Sequence, residues 1–402
     1  MHQFFPETYT GTENFLLNLS SQIKTNGHEV KVITHSFRPD SYFDQTYGHI
    51  MYREFHYKDI PIIAYKHMNN PGPQVLYQSL EDTGLTGFAD MILQKEQPDL
   101  VHVAHPIRMS EFIHVSIKRN IPYIITLTDY FLICPKGILM TSAGVPCFGA
   151  EQGEACKTSC PELNTDFVKY RYNQSKNILL SAKKLIAPSF YLASIFKKEY
   201  PEISIEVIPY GVDQENFIQN KTVYRKHQHL TFCYAGSHYT HKGLHVLTEA
   251  FLSSKINKSK LKIYGSGKDS FYNDQLRKSA SKNKNIEFCG VYSETDIGHI
   301  FSSVDVLIVP SIWHENCPFV IYEALACGLP VIASDVGGIT EIIDHGRNGF
   351  IFPRGNSEKL TKLIKKLNHH PMILNKIKKK ISEEKVRTIE EEAHQYLALY
   401  RS

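Results

Sequence analysis

Two carboxylates with seven residues between them, Glu315 and Glu323, stand between an apolar run over 304–310 and another over 331–333. Pro318 between them is tolerated in the first turn of a helix, which puts Glu315 in the loop just before a helix and Glu323 about one turn inside it. A helix start offers backbone N–H groups without intrahelical partners and a partial positive charge, which suit a diphosphate. A carboxylate within that helix can accept two ribose hydroxyls, and one in the loop can accept sugar hydroxyls. The spacing therefore reads as a site for a nucleotide sugar. A second cluster, Cys134, Cys147, Cys156 and Cys160, falls within 27 residues rich in Gly and Pro. Such a stretch has no core of its own, and the three residues between Cys156 and Cys160 are an allowed spacing for zinc ligands, though the gaps of twelve and eight residues before them are looser than in a ribbon or finger. Structural zinc, unligated thiols, and disulfides or an iron–sulfur cluster all stay open. Cys233, Cys289, Cys317 and Cys327 are scattered singly through apolar segments and read as small buried thiols. Gly265-Ser266-Gly267 lacks the third glycine of a dinucleotide fingerprint, since position 270 is Ser270.

These residues need elements to position them. Short β-branched runs alternate with amphipathic helical stretches along most of the chain, the pattern of an α/β protein built on parallel sheets. In the first half, Phe15, Leu16, Leu19 and Ile23 mark a helical face, followed by strands over 30–34, 100–103, 123–127 and 184–187, with a helix over 110–118. A strand over 205–208 runs into Pro209-Tyr210-Gly211-Val212-Asp213, and the polar stretch 214–228 looks like a connector. The second series has strands over 230–234, 261–264, 286–288, 304–309 and 331–333, with helices over 243–253 and 319–326. The expected division is a first Rossmann-like domain over 1–212 with a cysteine-containing insertion at 134–160, a second over 213–380, and a helix over 381–402. The last, with Val386, Ile389, Ala393, Tyr396, Leu397 and Tyr400 at three-to-four spacing, needs a surface for its apolar stripe and is expected to pack back on the first domain. Open α/β sheets bind ligands beyond the carboxyl ends of their strands, so two such domains predict a cleft between them.

Composition narrows the function. The 402 residues are 42% hydrophobic and 21% charged, enough apolar side chain for packed cores. A net charge of +4 falls short of a dedicated nucleic-acid binder. No apolar run approaches the roughly 18 residues of a membrane span, and the first residues lack a signal peptide's basic and apolar regions, which predicts a cytoplasmic protein. The lysine-rich run 376–380 reads as the solvated face of a helix rather than a membrane-surface patch.

Glu315 and Glu323, followed by Ala324, Gly328, Pro330, Asp335, Gly337-Gly338 and Glu341, resemble the signature of retaining family 4 glycosyltransferases with the GT-B fold, two facing Rossmann-like domains with an interdomain cleft. Phe5-Pro6 with Gly11-Thr12-Glu13 resembles the family's glycine loop, and Gly236 with Lys242-Gly243 the opening of its second domain. The resemblance implies transfer of a sugar from a UDP- or GDP-linked donor to a hydroxyl of a cell-surface glycan or glycolipid, with peripheral association at the inner membrane face left open. It implies Lys242 as the cation on the donor diphosphate, Glu323 on the ribose and Glu315 on the donor sugar. Backbone amides of Phe319 and Val320 after Pro318 would cap the phosphates, beside Gly236 and Ser237, and Gly11 would permit close approach. Fixed positive charge at the diphosphate stabilises the departing group, so no metal is obligatory.

Three departures accompany the resemblance. Ser237 stands where many relatives carry arginine, which shifts diphosphate binding onto Lys242 with help from His238 or His241. Thr128 stands where relatives often have histidine, leaving His105 as the candidate catalytic histidine of the first domain. The usual first strand is missing before Met1, as with an incorrect start or a trimmed chain, which predicts two unpaired sheet edges. A catalytically silent sugar-nucleotide-binding subunit, an epimerase and a phosphorylase of the same fold are the alternatives.

Overall fold

A computed structural model describes residues 1, 3–8, 10–68, 79–213, 217–293 and 296–401. The chain divides into two compact units, Met1–Tyr210 with Ile389–Ser402, and Gly211–Thr388. The first boundary falls in the Pro209–Asp213 turn. The second falls at 389 rather than 381, because the preceding helix puts Ile377 and Ile381 into the core of unit 2. Of the polar connector, residues 214–216 lie outside those described.

Unit 1 holds β1 (Val32–His35), β2 (Gln45–Tyr47), β3 (Ile50–Tyr57), β4 (Ile60–His67), β5 (Val101–Val103), β6 (Tyr123–Thr126), β7 (Lys184–Ala187) and β8 (Glu206–Val207). Its helices are α1 (Gly11–Thr25), α2 (Thr86–Glu96), α3 (Ser110–Lys118), α4 (Glu154–Ser159), α5 (Thr165–Ser181) and α6 (Phe190–Glu199). The strands form two sheets, β1-β4-β3-β2 and β5-β6-β7-β8, so β1 and β5 are both edge strands. β1 pairs β4 in parallel, but β3 pairs both β2 and β4 antiparallel. That hairpin went unread in the sequence because β3 is only partly buried along most of its length and lacks a clean alternation.

Unit 2 holds β9 (Thr231–Ala235), β10 (Lys260–Tyr264), β11 (Ile286–Gly290), β12 (Val306–Val309), β13 (Val331–Ser334) and β14 (Gly349–Phe352) in one sheet, ordered β11-β10-β9-β12-β13-β14. Every pairing is parallel. Around it run α7 (Leu244–Ser254), α8 (Ser270–Ala280), α9 (Ile297–Ser302), α10 (Phe319–Ala326), α11 (Ile339–Ile342), α12 (Ser357–His369) and α13 (Ile373–Glu383). β12 and β13 are buried at every position, as a sheet covered on both faces requires.

The final helix, α14 (Ile389–Arg401), belongs to unit 1. The Tyr396 hydroxyl lies 3.0 Å from Thr126 Oγ1 and the Tyr400 hydroxyl 2.8 Å from His102 Nδ1. The Phe15 ring of α1 packs on Tyr396 at 5.8 Å between centroids.

Candidate functional site

The strand order of unit 2 reverses at its centre: the chain moves outward from β9 to β11, then returns to β12 beside β9 and proceeds the other way. Loops leaving β9 and β12 therefore diverge, and the crevice between them is where an open parallel sheet receives a ligand. The loop after β9 carries Lys242 and the loop after β12 carries Glu315. They meet there: Lys242 Nζ lies 2.8 Å from Glu315 Oε1.

Glu315 is 2% exposed. Burial alone would raise its pKa, but the Lys242 charge and hydrogen bonds from Lys242 and Ser311 hold the carboxyl below the usual range. Ser311 Oγ donates to the same Oε1 at 2.6 Å. Lys242 Nζ also lies 4.7 Å from the centre of the Trp313 ring, a cation–π contact that fixes the ammonium on a second side. Ser311 and Trp313 escaped the sequence reading because a loop has no periodicity to single out its supporting residues.

Two glycines let the backbones close in. Gly243, at φ 72°, runs so near the loop after β12 that a Cβ on it would stand 1.9 Å from Pro310 O. Gly337, at φ 54°, lies against Glu315 itself, where a Cβ would stand 1.9 Å from the Glu315 carbonyl oxygen. The Gly338 N–H donates to that oxygen at 2.8 Å. Only glycine is compatible with both the left-handed backbone and the contact.

α10 begins at Phe319 behind Pro318, with no side-chain cap on its first amides. Phe319 and Val320 thus supply the first-turn N–H groups, a partial positive end that favours an anion. Glu323 is the fifth residue of α10 and half-buried. Its charge adds to burial in pushing the Cys327 thiol up to about 12. Gly236 follows β9 at φ 157°, and Ser237 offers its carbonyl to the Tyr234 hydroxyl at 2.7 Å. The two histidines expected to assist Lys242 do not carry charge at neutral pH. Burial lowers His238, and burial with the Lys242 charge brings His241 to about 4.

The remaining candidates belong to unit 1. His105, buried beyond the end of β5, contacts Asp129 Oδ2 through Nε2 at 2.8 Å. Its Nδ1 accepts from the Ile107 N–H at 3.2 Å, so Nε2 carries the proton. Thr128 Oγ1 donates to Ala104 O at 3.0 Å and ties the same two loops together. Gly11 is the exposed first residue of α1, whose start is closed by a capping box between Thr10 and Glu13.

Structural zinc is one of the readings the sequence leaves open for Cys134, Cys147, Cys156 and Cys160. All four are free thiols, and among the described residues no three His, Cys, Asp or Glu side chains are placed to hold a metal ion. Three of the four sulfurs are engaged locally. Backbone N–H groups of Lys136 and Leu139 reach Cys134, Cys147 Sγ lies 3.2 Å from Gly149 O, and Lys136 Nζ approaches Cys160 Sγ at 3.7 Å. Cys289, read as buried, is exposed near the end of the edge strand β11.

Residues 9–216 match the family profile described as glycosyltransferase family 4, and residues 216–385 the profile described as glycosyl transferases group 1. An uncharacterized glycosyltransferase of Haemophilus influenzae is 26% identical over 40% of this chain and 46% of its own length. A lipopolysaccharide 1,2-N-acetylglucosaminetransferase of Salmonella typhimurium is 26% identical over 42% of this chain and 48% of its own. The chain thus spans about half the length of these curated relatives. Among solved structures, the Anabaena protein HepE in complex with UDP and glucose superposes with a TM-score of 0.69 at 17% identity, covering 98% of this chain and 97% of that one. That likeness shows the GT-B fold.

Proposed function

The chain belongs to glycosyltransferase family 4, and from that premise we propose that it transfers a sugar from a UDP- or GDP-linked donor to a hydroxyl of a cell-surface glycan or glycolipid, with retention at the anomeric carbon. The observation that carries the reading is the Lys242–Glu315 pair, held at the sheet's switch point by Ser311, Trp313 and the Gly337 turn. The donor diphosphate takes the Lys242 ammonium and the first amides of α10, Glu323 accepts the ribose hydroxyls, and Glu315 holds the sugar near the reacting carbon. As the bond from anomeric carbon to phosphate breaks, its electron pair goes to the diphosphate oxygen. The Lys242 charge, already fixed by Glu315 and the Trp313 ring, stabilises that oxygen with little reorganisation. The acceptor hydroxyl then bonds to the anomeric carbon from the same face and passes its proton to the departing diphosphate oxygen.

With Ser237, His238 and His241 uncharged, Lys242 bears this task unaided among the loop residues after β9, a sparse provision that also favours the second reading, a silent binder of sugar nucleotides. One experiment addresses both. A thermal-shift panel of nucleotide sugars should raise the melting temperature for one donor, and Glu323→Ala should remove the shift; equal shifts in both proteins would sink the site. Slow release of free nucleoside diphosphate from that donor marks a transferase, and its absence a silent binder. The Salmonella relative's lipopolysaccharide substrate supports a glycan or glycolipid acceptor.

A further inference from the structure

Between residues 359 and 380 stand eight lysines and two histidines with no acid among them. Across α12 and α13 the eight lysines, less Glu358 and Glu383, give +6 against +4 for the whole chain, so the remainder carries −2. The molecule's entire positive excess lies in two consecutive helices. Helical periodicity arranges it: Leu360, Ile364 and Leu367 of α12, and Leu374, Ile377 and Ile381 of α13, turn into the core of unit 2, which leaves the lysines facing outward.

Some of these cations have local employment. Lys378 is drawn inward and donates to Asn220 Oδ1 and Thr222 O at 2.9 Å each. Lys362 pairs with Glu358 at 2.6 Å and Lys380 with Glu383 at 2.7 Å, while Lys366 sits 5.6 Å above the Phe350 ring. Lys359, Lys376 and Lys379 are exposed and Lys365 half-buried, and none of these four has an ion-pair partner among the described residues. The short turn between the helices, at His370 and Pro371, brings the cationic ends together. Lys365, Lys366, His369 and Lys376 all fall within about 7 Å of it along either helix axis, at 1.5 Å per residue. At its tip Met372 is 48% exposed.

An exposed apolar side chain at a turn flanked along both helices by lysines matches a surface that is anionic outside and apolar beneath. Single-stranded nucleic acid is gripped by aromatic stacking as well as charge, and 357–383 contains no Phe, Tyr or Trp. Where the lysine run 376–380 alone reads as a solvated face, its junction with α12 and the exposed Met372 reverse that reading: we infer that the α12–α13 turn of unit 2 docks the protein on a membrane surface through anionic lipid headgroups, with Met372 entering the headgroup layer. The attraction is electrostatic and falls away within a Debye length. It involves none of the residues that hold the donor and stands whether or not the donor reading does.

The test is co-sedimentation of the full chain with vesicles of phosphatidylcholine alone or with one third phosphatidylglycerol. The protein should partition onto the anionic vesicles at low salt and leave them in 0.5 M NaCl. The combined variant Lys359→Gln, Lys365→Gln, Lys376→Gln and Lys379→Gln should weaken partitioning at least tenfold, and Met372→Ala a few-fold. Both should keep the wild-type melting temperature, since these side chains point away from the core. Undiminished binding by the fourfold variant, equal binding to neutral vesicles, or retention on an RNA oligonucleotide without retention on vesicles would each overturn the inference.

Discussion

The two units use the same alternation of strand and helix to different effect. In unit 2 six parallel strands make one sheet, and the loops at its switch point press backbone to backbone. In unit 1 the eight strands among the described residues are divided between two sheets, and some loops are held by side chains reaching across to backbone amides. The Glu199 carboxylate, for example, accepts from the Glu151 and Gln152 amides at 3.2 and 2.7 Å. Backbone contact at a glycine leaves no room for adjustment, whereas a long side chain can swing aside. The units should therefore differ sharply in their tolerance of one added methyl group.

Gly337→Ala is the strongest test of that difference. Its Cβ would meet Glu315 O at 1.9 Å with φ held at 54°, so it should cost unit 2 on the order of 5 kcal/mol and erase any donor-induced thermal shift. The matching change in unit 1, Gly149→Ala, meets only the far end of Glu199 at 2.9 Å, though at φ 135°, and should cost about 1–2 kcal/mol. Hydrogen exchange read unit by unit separates the two. Equal loss in both would remove the distinction.

Lys242→Met comes next. It leaves the Glu315 carboxylate buried without its cation, which should cost about 3–5 kcal/mol of unit 2 stability and lower donor turnover roughly 100- to 1,000-fold. The acid profile should change with it. Glu315 is held below the usual carboxylate range, so the stability it contributes is present above the unfolded-state pKa and is lost as pH falls through the lower folded value. Removing the ammonium should move that loss to higher pH, and a melting curve that shifted equally at all pH values would break the link between the two groups.

These contacts also mark what the sequence could disclose. The limits of α10 at 319 and 326 were legible, because Pro318 and the apolar helix behind it state where the chain turns. So was the seven-residue interval that puts Glu315 before that helix and Glu323 within it. What could not be read is the work of residues with no periodic signature: Ser311 and Trp313 under the carboxylate, or Asp129 opposite His105. Neither the division of unit 1 into two sheets nor the antiparallel hairpin β3–β4 within it was legible, the hairpin because its partly exposed strand blurs the period-two pattern. Long-range pairing decides register there, and local preference does not.

Unit 1 should show its own weakness in acid. His35 and His102 are both brought to about 3, chiefly by burial, with the Arg108, His67 and Lys66 charges adding at His35 and the amino-terminal charge at His102. A histidine kept neutral in the fold contributes fully above the unfolded pKa of about 6.5 and loses about 1.4 kcal/mol per pH unit below it, until the folded value is reached. His102 holds Tyr400 at Nδ1 and Thr126 at Nε2, so the effect should appear first as loosening of α14. His102→Asn should flatten the acid slope of unit 1 by about that amount per unit while lowering stability at pH 7. An unchanged slope would mean that α14 docks independently of this ring.

The smallest expected effect concerns the thiols, and it sharpens the same contrast. Cys289, exposed near the end of β11, should react with a chromogenic disulfide within seconds to minutes in the folded protein. Cys156 in unit 1, pushed up to about 12 by burial and the neighbouring thiols, should react only on unfolding, together with Cys134 and Cys160. Loss of the Lys136 contact to Cys160 in Lys136→Met should change this order little, because burial rather than the ammonium protects the group. If instead the loop thiols stayed silent until a chelator was added, and one zinc per chain were found by elemental analysis, the four sulfurs would converge on a metal and the local engagements described for them would have to give way.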